Sequence, residues 1–365
     1  MNLQESIAQW RADRPHLEAR GLSFVPGAEV VRYMPDEWKL NAALAMDAIP
    51  LLTTDPNAGI PVMLTTSIDP EVVRILFTPN KAAIIFGERR SGTWLDQTRI
   101  FPVVEHAGEV STYGDYSGNG EAQVNTDFPN RQAYLFQTIK EYGELELERM
   151  GLAKLNWVSE KDQAAALVMN KYLNLTYFFG VSGLQNYGLL NDPNLNASIT
   201  PATKAYGGTK WIVSGVVQAT ANEIFTDIQS LYLKLVQQTN GLVAADSALV
   251  LAMSPQSEVA LTTTNTFNVN VHDLLKKNFP KLKVETAIQY GAISASNPQG
   301  IAAGEFAQLI AADIEGQSTG WCAFNEKMRA HPIIRDLSSF RQKVTGGTWG
   351  TIIRQPFAIS SILGL

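Results

Sequence analysis

Cysteine is almost missing from this chain: Cys322 is the only one in 365 residues. No intrachain disulfide can form, and a metal site within one chain has a single thiolate to draw on. Such cysteine usage fits a reducing compartment. Histidine is scarce as well, and His16, His106, His272 and His331 stand in no His-Glu-x-x-His, His-x-His or Cys-paired spacing. An excess of basic charge is also lacking, since 29 Lys and Arg face 35 Asp and Glu for a formal net charge of −6. That balance argues against a protein whose main task is gripping nucleic acid, while leaving room for a basic local face. No run approaches the ~18 apolar residues of a membrane span, and the start, Met1 to Ile7, lacks the basic stretch and apolar core of a secretory signal. These absences predict a chain made and used in soluble form, with no membrane partner. There is no internal repeat, low-complexity tract or long charge block.

Catalytic signatures are missing too. The serines of Val181-Ser182-Gly183 and Val213-Ser214-Gly215 lack the preceding glycine of a nucleophile elbow. Adjacent residues on a helix do not face each other, so His272-Asp273 at a helix start makes no oriented base. Cys322, between Trp321 and Phe324, reads as a small hydrophobe in a core. Gly114-Asp115-Tyr116-Ser117-Gly118-Asn119-Gly120 lacks the ligand spacing of a calcium loop and reads as a hairpin tip. Gly346-Gly347-Thr348-Trp349-Gly350 is neither a phosphate loop nor a dinucleotide fingerprint, and reads as a tight turn between two strands. Glu144, Glu146 and Glu148 alternate with Leu145 and Leu147 as in a half-buried surface segment. Arg89-Arg90 and Lys276-Lys277 occur only as pairs, without interleaved aromatics. No catalytic, cofactor or metal site is expected.

What the chain does have is an order of parts. Hydrophobic residues make up 45% of it, enough for two or more lobes with real cores. Residues 1–60, broken by Pro15, Pro26, Pro35 and Pro50, read as an arm with brief helices, one of them around Leu3, Ile7 and Trp10. Ile60 to Thr66 is strand-like, and Asp69-Pro70 opens a helix. Residues 99–113 and 131–142 look extended and flank the turn-rich tip, which suggests a long hairpin whose first arm spans roughly 50 Å at ~3.3 Å per residue. A helix is predicted over Ser159–Phe179, with its buried stripe on Ala164, Leu167, Val168, Leu175, Phe178 and Phe179 and its stop at Gly180. Gly183 to Pro193 reads as a loop, followed by a polar connector to Gln218. A second helix opens on the capping box Thr220-Ala221-Asn222-Glu223, buries Ile224, Phe225, Ile228, Leu231, Tyr232, Leu235 and Val236, and ends at Asn240-Gly241. Ala248–Met253 reads as a buried strand, Val271–Phe279 as a short helix ended by Pro280, and Lys283–Ile288 as another strand.

A projecting hairpin, one long amphipathic helix, a Gly-Leu-Leu-Asn loop, an α+β lobe and a final strand together resemble the major capsid protein of tailed bacteriophages, with its Hong Kong 97-like capsid fold. The segments Tyr113 to Ser117, Tyr142 to Glu146, Phe178 to Val181, Tyr187 to Pro193 and Arg354 to Ile359 are similar to segments of one phage and prophage branch of that family. The resemblance implies an N-terminal arm (1–60), a first peripheral part (61–98), an extended loop (99–142) and a peripheral domain with a spine helix (143–218). An axial domain (219–340) and a C-terminal return to the peripheral domain (341–365) complete the set. It implies a non-enzymatic structural subunit, without cofactors, that self-assembles through pentamers and hexamers into an icosahedral shell around double-stranded DNA. Scaffolding and portal proteins, a decoration protein and non-specific contact with packaged DNA are the implied partners. The implied location is the virion capsid, assembled in the bacterial host cytoplasm. The long charged scaffold segment of some family members has no counterpart before the folded region, and the expectation is a separate scaffolding protein.

The residues add a physical reason for assembly. A two-stranded hairpin alone is marginal in water and needs a surface to pack on. Phe101, Tyr113, Tyr116, Phe128, Tyr134 and Phe136 are expected subunit-contact anchors, worth ~1.5–3 kcal/mol each if fully covered. Asp115 at the tip, and Arg99 and Arg131 pairing with acidic partners, complete the expected contact. Two alternatives remain at this point: an encapsulin-like nanocompartment shell with the same fold, and a soluble enzyme whose site is assembled from distant residues in a deep polar pocket.

Overall fold

The computed structural model describes residues 79–152, 156–294 and 297–365. The expected arm, the strand at 60–66 and the helix opening at Asp69 lie outside the described residues.

The longest helix, Trp157–Phe179, begins two residues before the sequence pattern places it, because Asn156 caps it by accepting from the Ser159 N–H. Its buried face also differs from expectation. Ala165, Met169, Leu173, Tyr177 and Phe178 point inward, whereas Ala164, Leu167 and Val168 are exposed. Both sets recur at helical spacing, and tertiary packing chose between them. At the far end the chain doubles back on the helix: the Leu189 and Leu190 N–H groups donate to the Tyr177 and Phe178 carbonyls at 2.8 and 3.0 Å. Helix carbonyls that would otherwise lack partners are thereby satisfied. Gly180 permits this reversal with φ +64°, and Gly188 sits hard against the Phe178 backbone, where a Cβ has no room.

The long helix packs on a five-stranded sheet. Glu88–Arg90 runs parallel to Gly320–Ala330, which pairs antiparallel with Ser339–Ile353, and this last strand also pairs with Ile334–Arg335 and with Tyr134–Gly143. Two sequence expectations are corrected here. Of residues 131–142 only Arg131 and Gln132 belong to the return arm of the hairpin, because Tyr134–Gly143 is hydrogen-bonded to Ser339–Thr348 instead. The segment Gly346 to Gly350 is not a turn either: it lies inside the continuous strand Ser339–Ile353. Its glycines serve close packing. A Cβ on Gly346 would lie 2.8 Å from Phe136 and 2.9 Å from Met169. Replacing Gly346 by alanine is therefore expected to cost about 1–3 kcal/mol of stability through overpacking, read as a lower denaturation midpoint at unchanged slope.

The acidic stretch after Gly143 is a helix, Glu144–Leu152. Glu146 accepts from the Gly143 N–H, the Trp157 indole and Lys161. The bond to Lys161, then that to Gly143, holds its carboxyl below the usual range.

A second sheet has the order Lys283–Thr286, Leu249–Met253, Phe306–Ala311, Ile359–Leu363, its first pair parallel and the others antiparallel. The helix Ala221–Gln238 covers one face through Ile224, Ile228, Leu231 and Leu235. Its capping box is complete, with Thr220 accepting from the Glu223 N–H and Glu223 accepting from the Thr220 N–H. Ala252, Ile310 and Ile359 on the other face of this sheet join the core of the long helix. Phe306–Ala311 is buried along its whole length, and its Gln308 is satisfied by the Tyr290 hydroxyl and the Leu189 carbonyl. Sheet membership thus divides the chain differently from the expected boundaries. Gly320–Ala330 belongs with the long helix, not with the 219–340 lobe, and Ile359–Leu363 joins the second sheet.

The polar connector between the two helices is pinned by a buried ion pair. Lys204 bonds the Asp227 carboxylate, which also accepts from the Trp211 indole at 2.7 Å and the Ala202 N–H at 3.3 Å.

Candidate assembly surface

In the chain between Glu88–Arg90 and Tyr134–Gly143 of the first sheet comes a two-stranded finger. At its root Thr98–Ile100 pairs with Asn130–Gln132, and beyond it Val103–Gly108 pairs with Ala122–Asp127. The hairpin is real, but its return arm is 122–132, which the polar residues Gln123, Asn125 and Asp127 disguised. Every residue of the distal pair is exposed.

Side chains alternate across the two strands, so the register sorts the finger into two faces. His106 opposite Val124, Val104 opposite Thr126 and Gly108 opposite Ala122 form the more apolar face. Val103 opposite Asp127, Glu105 opposite Asn125 and Ala107 opposite Gln123 form the polar, acidic one. The loop 109–121 closes the end, with the Tyr113 hydroxyl donating to Asp115 at 2.7 Å.

The nine expected contact residues divide along this axis. Tyr113 and Tyr116, with Asp115 between them in the loop, are 92% and 103% exposed, and Phe128, toward the root, is 59% exposed. The root residues pack within the chain. Phe101 is buried with Trp321 and Trp349. Arg131 is buried, bonds Asp192 at 2.7 Å and stacks on Tyr187, so it is not available to an acidic partner on another subunit. Phe136 and Tyr134 pack against Tyr172 of the long helix at 4.8 and 6.2 Å between ring centroids. Arg99 remains half-exposed over the Phe101 ring. Sequence reading missed the two-faced finger, because its signal is the pairing register and not composition.

The chemistry elsewhere is structural. Cys322 is fully buried, and burial pushes its thiol up to about 12. Among the described residues no cluster of three or more His, Cys, Asp or Glu is placed to hold a metal ion, and no helix is long and apolar enough to cross a membrane. A cleft of about 450 Å³ beside Trp211 includes Glu305. That carboxylate accepts from the Ser254 and Ser257 hydroxyls and the Ala292 N–H, a brace across the start of a short helix.

A family model described as the Pa193 gp26 major capsid protein matches residues 51–364. Among solved structures, the capsid of Myoviridae phage XM1 is similar at a TM-score of 0.67 and 12% identity, over 85% of this chain and 100% of that one. The capsid of a native GTA particle, computed with C5 symmetry, is similar at 0.55 and 11%, over 85% and 99% of the two chains. A chain of Mycobacterium phage Cain is similar at 0.52 and 10%, over 84% and 98%. No curated protein matches the sequence. At such identities the structural likeness speaks for the fold, and that fold is the Hong Kong 97-like one the order of parts suggested.

Proposed function

Because the chain belongs to the Pa193 gp26 major capsid protein family, we propose that it builds an icosahedral shell of pentamers and hexamers by laying its finger on a neighbouring copy. Membership of a capsid protein family makes it a structural subunit of a virion shell and does not favour the nanocompartment alternative. The observation that carries the contact is the finger itself: two short strands and a loop, exposed but for half-buried Ser111 and bearing Val104, Val124, Tyr113 and Tyr116 toward solvent. A strand pair of this length has no stability of its own, so a partner surface must complete it. Heterologous contacts of this kind close into rings, and rings linked by fingers close into a shell.

In this reading the long helix and the first sheet form the peripheral domain, and the second sheet with its helix forms the axial domain. The protein is structural and not catalytic. Scaffolding and portal proteins guide its assembly in the host cytoplasm, a decoration protein is a further partner, and the packaged double-stranded DNA touches it without sequence preference. Electron microscopy of the purified chain, alone and with its scaffold, tests this. Hollow particles of uniform diameter are expected. A chain that remains monomeric at high concentration and with scaffold present would overturn the reading.

A further inference from the structure

The finger has a chemical counterpart on the same chain. Residues 103–130 contain Glu105, Glu109, Asp115, Glu121 and Asp127 but neither lysine nor arginine. Among the described residues, none of these five carboxylates forms an ion pair. The two strand ends bring Glu109 and Glu121 together, since the Glu109 N–H donates to the Glu121 carbonyl at 3.0 Å. With Asp115 on the loop between them, the distal end of the finger carries three carboxylates and no lysine or arginine.

Around Trp321 the sign reverses. In the strand Gly320–Ala330, Cys322 turns to the core of the long helix, while Trp321 and Ala323 turn to the opposite face and pack with Phe101, Trp349 and Ile352. Arg89 and Arg354, both exposed, lie 4.7 and 4.8 Å from the Trp321 ring centroid. Arg99 lies 5.5 Å from Phe101 in the same aromatic cluster. Among the described residues, none of the three meets a carboxylate. The residue Trp321 is only 6% exposed, and no described residue accepts from its indole N–H. Buried indole N–H groups find an acceptor as a rule. Two guanidiniums on one ring, beside an unmatched donor, describe a site that an anion completes.

We infer that Arg89, Arg354 and Trp321, with Arg99 beside them, receive Glu109, Asp115 and Glu121 at the tip of the finger of a second copy of this chain. The inference rests on the shell reading and names the partner of its finger. The contact cannot form within one chain: Phe101 sits in the receiving cluster, and eight extended residues carry Glu109 about 25 Å away from it. A nucleic-acid phosphate would satisfy the arginines but leave the finger's carboxylates without partners on whatever surface it covers. Joining finger and site settles both.

Charge exchange in the full-length chain tests it, with particle yield read by sedimentation. The R89E/R354E chain and the E109K/D115K/E121K chain are each expected to lose about tenfold or more in yield, because like charges then face each other. A chain carrying both sets is expected to recover to within about threefold of the unaltered protein, since the pairs are restored with opposite sign. R89K/R354K, which keeps the charge, is expected to assemble, and unchanged melting of the unassembled variants excludes misfolding. Normal yield from both single sets, or no recovery in the combined chain, would overturn the contact. So would an R89E/R354E chain that assembles normally but holds less DNA, because the arginines then face nucleic acid. If the unaltered chain forms no particles, the shell reading itself fails.

Discussion

Replacing residues 110–120 with a two-residue Asn-Gly turn is expected to leave a folded chain that no longer closes into shells. Glu109 and Glu121 form a hydrogen-bonded pair, the Glu109 N–H donating to the Glu121 carbonyl, and a two-residue turn closes on such a pair. The removed residues are exposed with the single exception of half-buried Ser111, so no core is uncovered. Stability of the unassembled chain should therefore change by no more than about 0.5 kcal/mol, as for ordinary surface changes. The loss falls on the contact. Full burial of Tyr113 and Tyr116 is worth about 1.5–3 kcal/mol each, so a contact without them weakens by two or more powers of ten. In the proposed shell every subunit makes that contact, and particle yield should fall below detection by electron microscopy while the far-ultraviolet circular dichroism is unchanged. Shells formed at the normal yield would show that the tip is ornamental.

The second large effect lies far from the finger. Asp227→Ala removes the carboxylate that Lys204, Trp211 and Ala202 share, and Lys204 is left buried with no counter-charge. Breaking a buried pair from one side costs about 3–5 kcal/mol, a large fraction of a domain's stability. The variant should unfold at a markedly lower denaturant concentration or fail to accumulate. Replacing both partners, K204M/D227L, is expected to recover most of the loss, because no isolated charge then remains, although the Trp211 indole still lacks its acceptor. If Asp227→Ala melts with the unaltered chain, the pair carries no structural weight.

Features written in a short stretch of sequence are legible there. The Thr220 capping box, the inward stripe Ile224, Ile228, Leu231 and Leu235, and the buried Cys322 each declare their role within a few residues. Choices made between distant segments are not legible in the same way. The long helix carries two apolar stripes, and only the sheet beneath it selects Met169 and Leu173 over Leu167 and Val168. Gly346 and Gly347 look like a turn because glycine frees the backbone, yet here they make room for Phe136 and Asn325 across neighbouring strands. The distal return strand of the finger, Ala122–Asp127, escapes a pattern search because it lacks the apolar alternation of a half-buried strand: neither of its faces meets the chain's own core. That same absence marks it as a surface waiting for a partner. Of the aromatic anchors, Tyr113, Tyr116 and Phe128 keep their exposure, whereas Phe101, Tyr134 and Phe136 go to the chain's own packing.

Whether the finger of one subunit lies on another is the claim on which the rest depends, and an electron cryomicroscopy reconstruction of the assembled particle reads it directly. The expected map shows a closed shell in which the pair Val103–Gly108 and Ala122–Asp127 rests on a neighbouring subunit, with loop 109–121 ordered against it. A closed shell in which that strand pair stands free in solvent would contradict the account.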